Sequence, residues 1–389
     1  MARLKKQNKK RKKPITLDEV DFYANNFDFL RFLAATMVIV GHSFALFGST
    51  FDPLGYLTGS IGLGGVALFI FFIISGFLIT KSWLDKPNVF AYFKKRILRI
   101  TPGLFCAVVL SFLVIGPIAT SLTLKEYFHQ PQTWDYLRNI IFQTRPLIPH
   151  VFENNPYSSA MNGSLWSLPI EFWMYIFVAI FGLSGILVKR KFFIPVAILI
   201  TIFLSWHILT MPAYENMSFL AMSAFQFSRL ALFFLLGSFF YLYRKFIILD
   251  LRITLMALAA FVLTFRTPFS ELMLIFTLPY LVISVAYLPK ISVLRNFGKY
   301  GDFSYGMYIY AFPIQQTLVY FLKPRINLLE FSLLSFFITL IIGIASWHLI
   351  EKQFLKLKKV PIIRPLLGKS IYLTNKIKTQ LFPSSPSQD

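Results

Sequence analysis

The sequence predicts an all-α membrane protein, a polytopic bundle of about ten transmembrane helices with both termini in the cytoplasm. Three observations carry that reading. Hydrophobic residues make up 56% of the 389 positions and charged residues only 14%, against about 25% charged in soluble domains. Apolar stretches long enough to span a bilayer, which takes about 20 residues, recur along the chain. Lysine and arginine fall unevenly between them. Connections on one side hold 31 of the 39 basic residues, those on the other hold 6, and Arg31 and Arg229 lie inside spans. By the positive-inside rule the basic side is cytoplasmic. The formal charge of +22 is thereby topology, and no nucleic-acid partner is expected.

In chain order, residues 1–24 form a basic cytoplasmic segment, able to attract membrane lipid of negative charge at roughly 1 kcal/mol per basic residue close to the surface. It resembles the start of a signal peptide. The apolar run after it has full span length and no small-residue cleavage site, so it is kept as a mature helix. Spans follow at 28–48, 60–81, 102–120, 164–184, 192–210, 219–243, 250–266, 270–288, 303–322 and 329–350. The span at 250–266 is the weakest, because Arg252 crowds it. Residues 121–163 make the one long external segment, a length that is often functional, and read as a cover on the outer side. Residues 356–389 are a cytoplasmic tail, disordered toward its SSPSQD end. The single cysteine, Cys106, has no partner for an intrachain disulfide.

The first span, DFLRFLAATMVIVGHSFALFG, carries two residues foreign to lipid. Arg31 and His42 are 11 positions apart, close to three helical turns, so they share a stripe about 16 Å long. Ionisable groups in a membrane usually face a protein interior or a wet cavity, and this pair suggests a polar channel. A snorkelling arginine and a core histidine are the alternative. In the second span, Gly59, Gly62, Gly64 and Gly65 follow no strand, so they point to close helix packing rather than a dinucleotide loop. Its run from Ser75 to Thr80 lies at the cytoplasmic end, where a bend would expose backbone groups.

Arg96 and Arg99 sit i and i+3, side by side on a helix, and two guanidiniums make a fork for phosphate oxygens. Positive-inside bias alone would also place arginines there. Pro102 and Gly103 then reset the backbone for the third span. Glu171, in NGSLWSLPIEFW, lies about one turn below the external surface, at a depth similar to that of His42. A carboxylate there would orient the imidazole as the second half of a general-base pair; the alternative is an interfacial carboxylate reaching water. Trp166 also suits an aromatic belt. Arg229 sits near mid-membrane and needs a partner or a wet cavity. In 303–316, Tyr305 and Tyr308 share a side, and carbonyls freed by Pro313 would line a cavity. Tyrosines at that spacing also suit plain packing. The remaining histidines are scattered without metal-ligand spacing, and no Gly-x-Ser-x-Gly elbow occurs.

Together these stretches resemble the acyltransferase-3 family, integral membrane acyltransferases that modify bacterial surface polysaccharides. The resemblance covers about residues 25–355, the expected transmembrane acyltransferase domain. It is carried by the Arg31–ten residues–His42 spacing, FIISGFLIT, RILRITP, SLWSLPIEFW, GDFSYGMYIYAFPIQQ and SWHLIEK, in that order. It implies a cytoplasmic acyl-CoA donor, acetyl-CoA foremost, with no permanently bound cofactor and no metal. Arg96 and Arg99 would hold the donor's phosphates, and the pantetheine arm would pass Arg31 toward His42. A carbohydrate acceptor, exported or lipid-linked, would offer its hydroxyl from outside. His42, with Glu171, would act as base or carry the acyl group itself. Thr80, Trp166, Ser167, Arg229, Tyr305 and Tyr308 are the further candidates for substrate binding. The expected location is the bacterial plasma membrane. Many relatives have a histidine after the YIY stretch where this chain has Ala311, and many carry an extra-cytoplasmic esterase-like domain that is not expected here. A flippase, polymerase or transporter of lipid-linked sugars would share ten or more spans and a basic cavity. Transporters commonly show related halves or paired broken helices, and no such pairing is found.

Overall fold

In a computed structural model, the described residues are 15–188 apart from 159, residues 222–359, and a few positions between. Apolar runs become helices at most of the expected places. We label the long ones α1 (Phe27–Phe47), α2 (Leu63–Asp85), α3 (Val89–Ala119), α4 (Ser167–Leu183), α5 (Ala224–Leu242), α6 (Leu251–Leu263), α7 (Ser270–Tyr287), α8 (Ser304–Leu322) and α9 (Leu328–Lys356). Among the described residues, six are long and apolar enough to cross a membrane: α1, α2, α3, α5, α7 and α9. The chain is a multi-pass membrane protein. The expected span at 192–210 and the tail beyond 359 lie outside the described residues.

Three expected spans differ in kind. α6 has 13 residues, about 20 Å at 1.5 Å per residue, short of the roughly 30 Å of hydrocarbon. α4 has 17. α8 has 19 but buries Ser304, Gln315 and Gln316, so its surroundings are protein rather than lipid. The third span also starts earlier than expected. Asn88 caps it by accepting a hydrogen bond from Ala91 N at 2.9 Å, and Pro102 lies inside one continuous helix. Pro102 and Gly103 therefore do not reset the backbone. Gly103 instead leaves room for Tyr305 and Glu351, which an added Cβ would crowd.

The glycine expected to bend α2 does something else. Gly76 of α2 and Gly237 of α5 face each other's backbones, and a Cβ on either would strike the Phe234 or Ile73 carbonyl. Small residues of this kind let membrane helices approach closely. Thr80 serves the same contact: its Oγ1 donates to Ser238 Oγ at 2.9 Å, with both residues buried. Thr80, expected to bind substrate, is spent on this helix contact and does not line the two chambers described below.

The start of α1 is fixed from a distance. Buried Asn26 donates to Val285 O (2.8 Å) and Pro289 O (3.2 Å), tying α1 to the end of α7. Residues just before it are not a free arm. Ile15–Thr16 pair antiparallel with Ile248–Leu249, Leu17 is buried, and Asp18 meets Arg244 at 2.6 Å. At α8, Pro313 leaves the Ile309 carbonyl without its helical donor. Asn162 Nδ2 supplies one at 2.9 Å, so that carbonyl is satisfied by protein rather than turned to a cavity.

Candidate active site

Two chambers lie end to end between these helices. One, of about 280 Å³, is lined by Arg31 of α1, Arg96 and Arg99 of α3, Ser167 and Glu171 of α4, Asp302, Tyr305 and Lys358. The other, of about 360 Å³, is lined by His42 of α1 with Asp52, Trp166, Gln226 and Arg229. Leu68 of α2 and Tyr308 of α8 line both and form the partition. The stripe that carries Arg31 and His42 thus serves two chambers in series.

The first chamber is cationic. Arg31, Lys95, Arg96, Arg99 and Lys358 line it against the acids Glu171 and Asp302. Asp302 binds Arg99 at 2.5 Å and Arg31 at 3.5 Å, and Arg31 also meets Asp28 at 2.8 Å. Burial alone would raise the Asp302 pKa. Arg99, Arg31 and the Ser304 hydroxyl outweigh it and hold the carboxyl below its ordinary value. The Arg99 guanidinium lies over Tyr305 (5.8 Å) and Trp347 (5.4 Å). Arg96 donates to Ser82 Oγ at 3.0 Å and stands over Tyr92 and Tyr175, while its Nε is buried without a hydrogen-bond partner among the described residues. The two arginines share the chamber but form no empty fork, since Arg99 is already engaged. Lys358 is exposed as a residue. Even so, burial of its ammonium, with Arg99, Arg96 and Lys95 adding to it, pulls the pKa down to about 8.

Glu171 belongs to this chamber. Its Oε1 accepts from Ser75 Oγ at 2.9 Å and from Tyr175 OH at 2.5 Å, and it makes no hydrogen bond to His42. The expected pairing is not made: Glu171, in the second turn of α4, faces the first chamber while His42 lines the second. Ser167 Oγ and Tyr308 OH are 2.5 Å apart, and Tyr308 OH donates to Ser164 O at 2.6 Å, which stiffens the partition. Tyr305 OH donates to Ile100 O at 2.6 Å.

The second chamber has little charge. His42 packs edge-to-face with Phe312 at 5.3 Å, and its Nδ1 is buried without a hydrogen-bond partner among the described residues. Arg229 forms an ion pair with Glu271 of α7 at 2.6 Å, a close contact without hydrogen-bond alignment at Nε. It thus has both the partner and the cavity that its depth requires. Asp52 accepts from Gly55 N and Leu63 N, both at 2.8 Å.

Asp302, Glu271 and Asp52 were not singled out from the sequence. The one available signal was scarcity: with 17 acidic residues in 389, an acid beside a span is conspicuous. Among the described residues no cluster of metal-ligating side chains occurs.

Residues 25–348 match the model of a family described as an acyltransferase domain. The chain belongs to this acyltransferase-3 family. Among its relatives is an O-acetyl transferase of Shigella phage Sf6, 30% identical over 340 residues, which are 85% of this chain and 96% of the relative. Nodulation protein 10 of Rhizobium leguminosarum bv. viciae is 31% identical over 165 residues, 40% of this chain and 43% of that one. The acyltransferase MdmB of Streptomyces mycarofaciens is 28% identical over 114 residues, 29% of this chain and 27% of that one. No solved structure matches. The protein is an acyltransferase of the membrane, and the transporter alternative finds no support among these relatives.

Proposed function

We propose that the enzyme moves an acyl group, acetyl in the simplest case, from acyl-CoA to a hydroxyl of a cell-surface or lipid-linked carbohydrate. The observation that carries this reading is the pair of neighbouring chambers, one cationic and one holding His42, with Leu68 and Tyr308 in the walls of both. A donor with several phosphates suits the chamber of Arg31, Arg96, Arg99 and Lys358, and a thin pantetheine arm suits a passage beside the partition. The relatives' O-acetyl transferase and acyltransferase names favour the same chemistry.

In the direct reaction His42 takes the proton of the acceptor hydroxyl. The oxygen then forms a bond to the thioester carbonyl carbon, the carbon–sulfur bond breaks, and the departing thiolate takes the proton. A relay through an acyl-histidine gives the same balance in two steps. Purified protein with labelled acetyl-CoA and carbohydrate acceptors tests this. Labelled acceptor and free coenzyme A are expected; unchanged donor with every acyl chain and acceptor offered would overturn it.

We extend the reading to a bacterial plasma membrane, ten spans and cytoplasmic termini, so that the cationic chamber faces the donor. A reporter fused after Asp389 is expected in the cytoplasm and one near Asn155 outside. Both on one side would break this arrangement.

A further inference from the structure

Beside the His42 chamber lies a third space of about 590 Å³, open to the surface. It is walled by Thr144, Pro146, Leu147, Tyr157, Ser158 and Asn162 from the long connection before α4, and it ends on Trp166. Trp166 also lines the His42 chamber. A second ring joins the two. Phe312 of α8 stands edge-to-face with His42 at 5.3 Å on one side and with Tyr157 at 5.9 Å on the other. Both spaces fall within the usual range of ligand pockets, roughly 300–1,000 Å³.

The walls are built rather than draped. Buried Gln316 donates to Tyr157 O (2.7 Å) and Ala160 O (2.8 Å), and Asn155 Nδ2 donates back to Gln316 Oε1 at 2.8 Å. Pro146 O accepts from Met161 N at 2.8 Å, and Leu147 bridges Ala160. This network holds the Tyr157 backbone in place while half of the residue stays exposed.

Charge selects the occupant. No charged residue lines the cleft among the described residues. In the His42 chamber Arg229 is neutralised by Glu271, which leaves Asp52 as the one acid or base lining it, His42 apart, without an ionic partner among the described residues. A carboxylate with no cation to offset it disfavours an anionic acceptor. Its acceptor oxygens, the Gln226 amide, the exposed ring of Tyr157 and the partly buried ring of Trp166 suit hydroxyls and the C–H faces of sugar rings, whose partial positive charge meets the negative face of an aromatic ring.

We infer that the acceptor is an uncharged oligosaccharide, one sugar in the His42 chamber and its neighbours over Trp166 in the cleft before α4. This rests on the transferase reading above. The test uses the full-length protein in detergent, labelled acetyl-CoA, and a panel of defined mono- to tetrasaccharides, each neutral or carrying a uronic acid. The best acceptor is expected to be neutral and at least a trisaccharide, with kcat/KM about tenfold or more above its own monosaccharides, a factor worth about 1.4 kcal/mol. Tyr157→Ala should collapse that chain-length preference, and Tyr157→Phe, which keeps the ring, should retain it. A monosaccharide as good as the best oligosaccharide, a preferred uronate, or a preference untouched by Tyr157→Ala would each overturn the inference while leaving transfer intact. Silence with the whole panel would overturn the transferase reading along with it.

Discussion

The two chambers on either side of Tyr308 solve opposite problems. The cationic chamber crowds five basic lining residues around Asp302 and Glu171, and its arginines are half-occupied by protein carboxylates and aromatic faces. The His42 chamber holds one mutually neutral ion pair, the lone carboxylate of Asp52 held by two backbone N–H groups, and an imidazole whose Nδ1 has no partner among the described residues. Charge gathered in one place needs internal counterions to be stable without ligand, because uncompensated buried charge is expensive. A neutral imidazole needs none, so it can wait unpartnered for a substrate proton. The contrast teaches that substitutions at the donor-side arginines should disturb folding and binding together, whereas substitution of His42 should touch turnover alone.

The largest effect is expected at the catalytic end. His42→Gln keeps size and loses the proton acceptor, so transfer should fall by about 10²–10⁴-fold at unchanged protein abundance. Glu171→Gln should cost much less, since Glu171 holds Ser75 and Tyr175 in the other chamber. Near-normal turnover in His42→Gln at matched expression would reduce the histidine to packing.

Next comes the donor side. Arg99→Ala leaves Asp302 with Arg31 at 3.5 Å as its remaining cation, so both abundance and donor affinity should drop, the affinity by about tenfold or more. Adding Asp302→Asn separates the two roles. Abundance should recover and affinity should stay low if Arg99 holds the donor; full recovery of both would make Arg99 a counterion only.

A smaller effect concerns pH. Lys358, drawn down to about 8 by burial and by Arg99, Arg96 and Lys95, is charged below that value and loses its charge above it. Affinity for acyl-CoA should therefore weaken as pH rises from 7 to 9, and the weakening should disappear in Lys358→Arg, which stays charged. An identical slope in both proteins would assign it elsewhere. Least of all should change with Thr80→Val. Losing one buried hydrogen bond to Ser238 costs about 1 kcal/mol, visible as a lower unfolding temperature in detergent, while the KM values for donor and acceptor hold. A changed donor KM would return Thr80 to the site.

What the sequence by itself determined is whatever a single helix can fix. Apolar runs mark where the chain can leave water, so α1, α2, α5, α7 and the body of α9 were legible. A period of 3.6 residues places Arg31 and His42 on one stripe without reference to any neighbour. Hydropathy reports where a segment is apolar, however, and not where it is helical. The first residues of α3, from Val89 to Thr101, were for that reason read as a connection. Tertiary structure alone decided which acid meets which base. Asp302 reaches Arg99 across 203 positions, and Glu271 reaches Arg229 from a neighbouring helix. Glu171 lies with Ser75 and Tyr175 in the first chamber rather than beside His42. Thr80 faced Ser238 because Gly76 and Gly237 brought two backbones together. Each of these depends on helix depth and rotation, which are set by packing between segments and leave no trace in the spacing of residues along one of them.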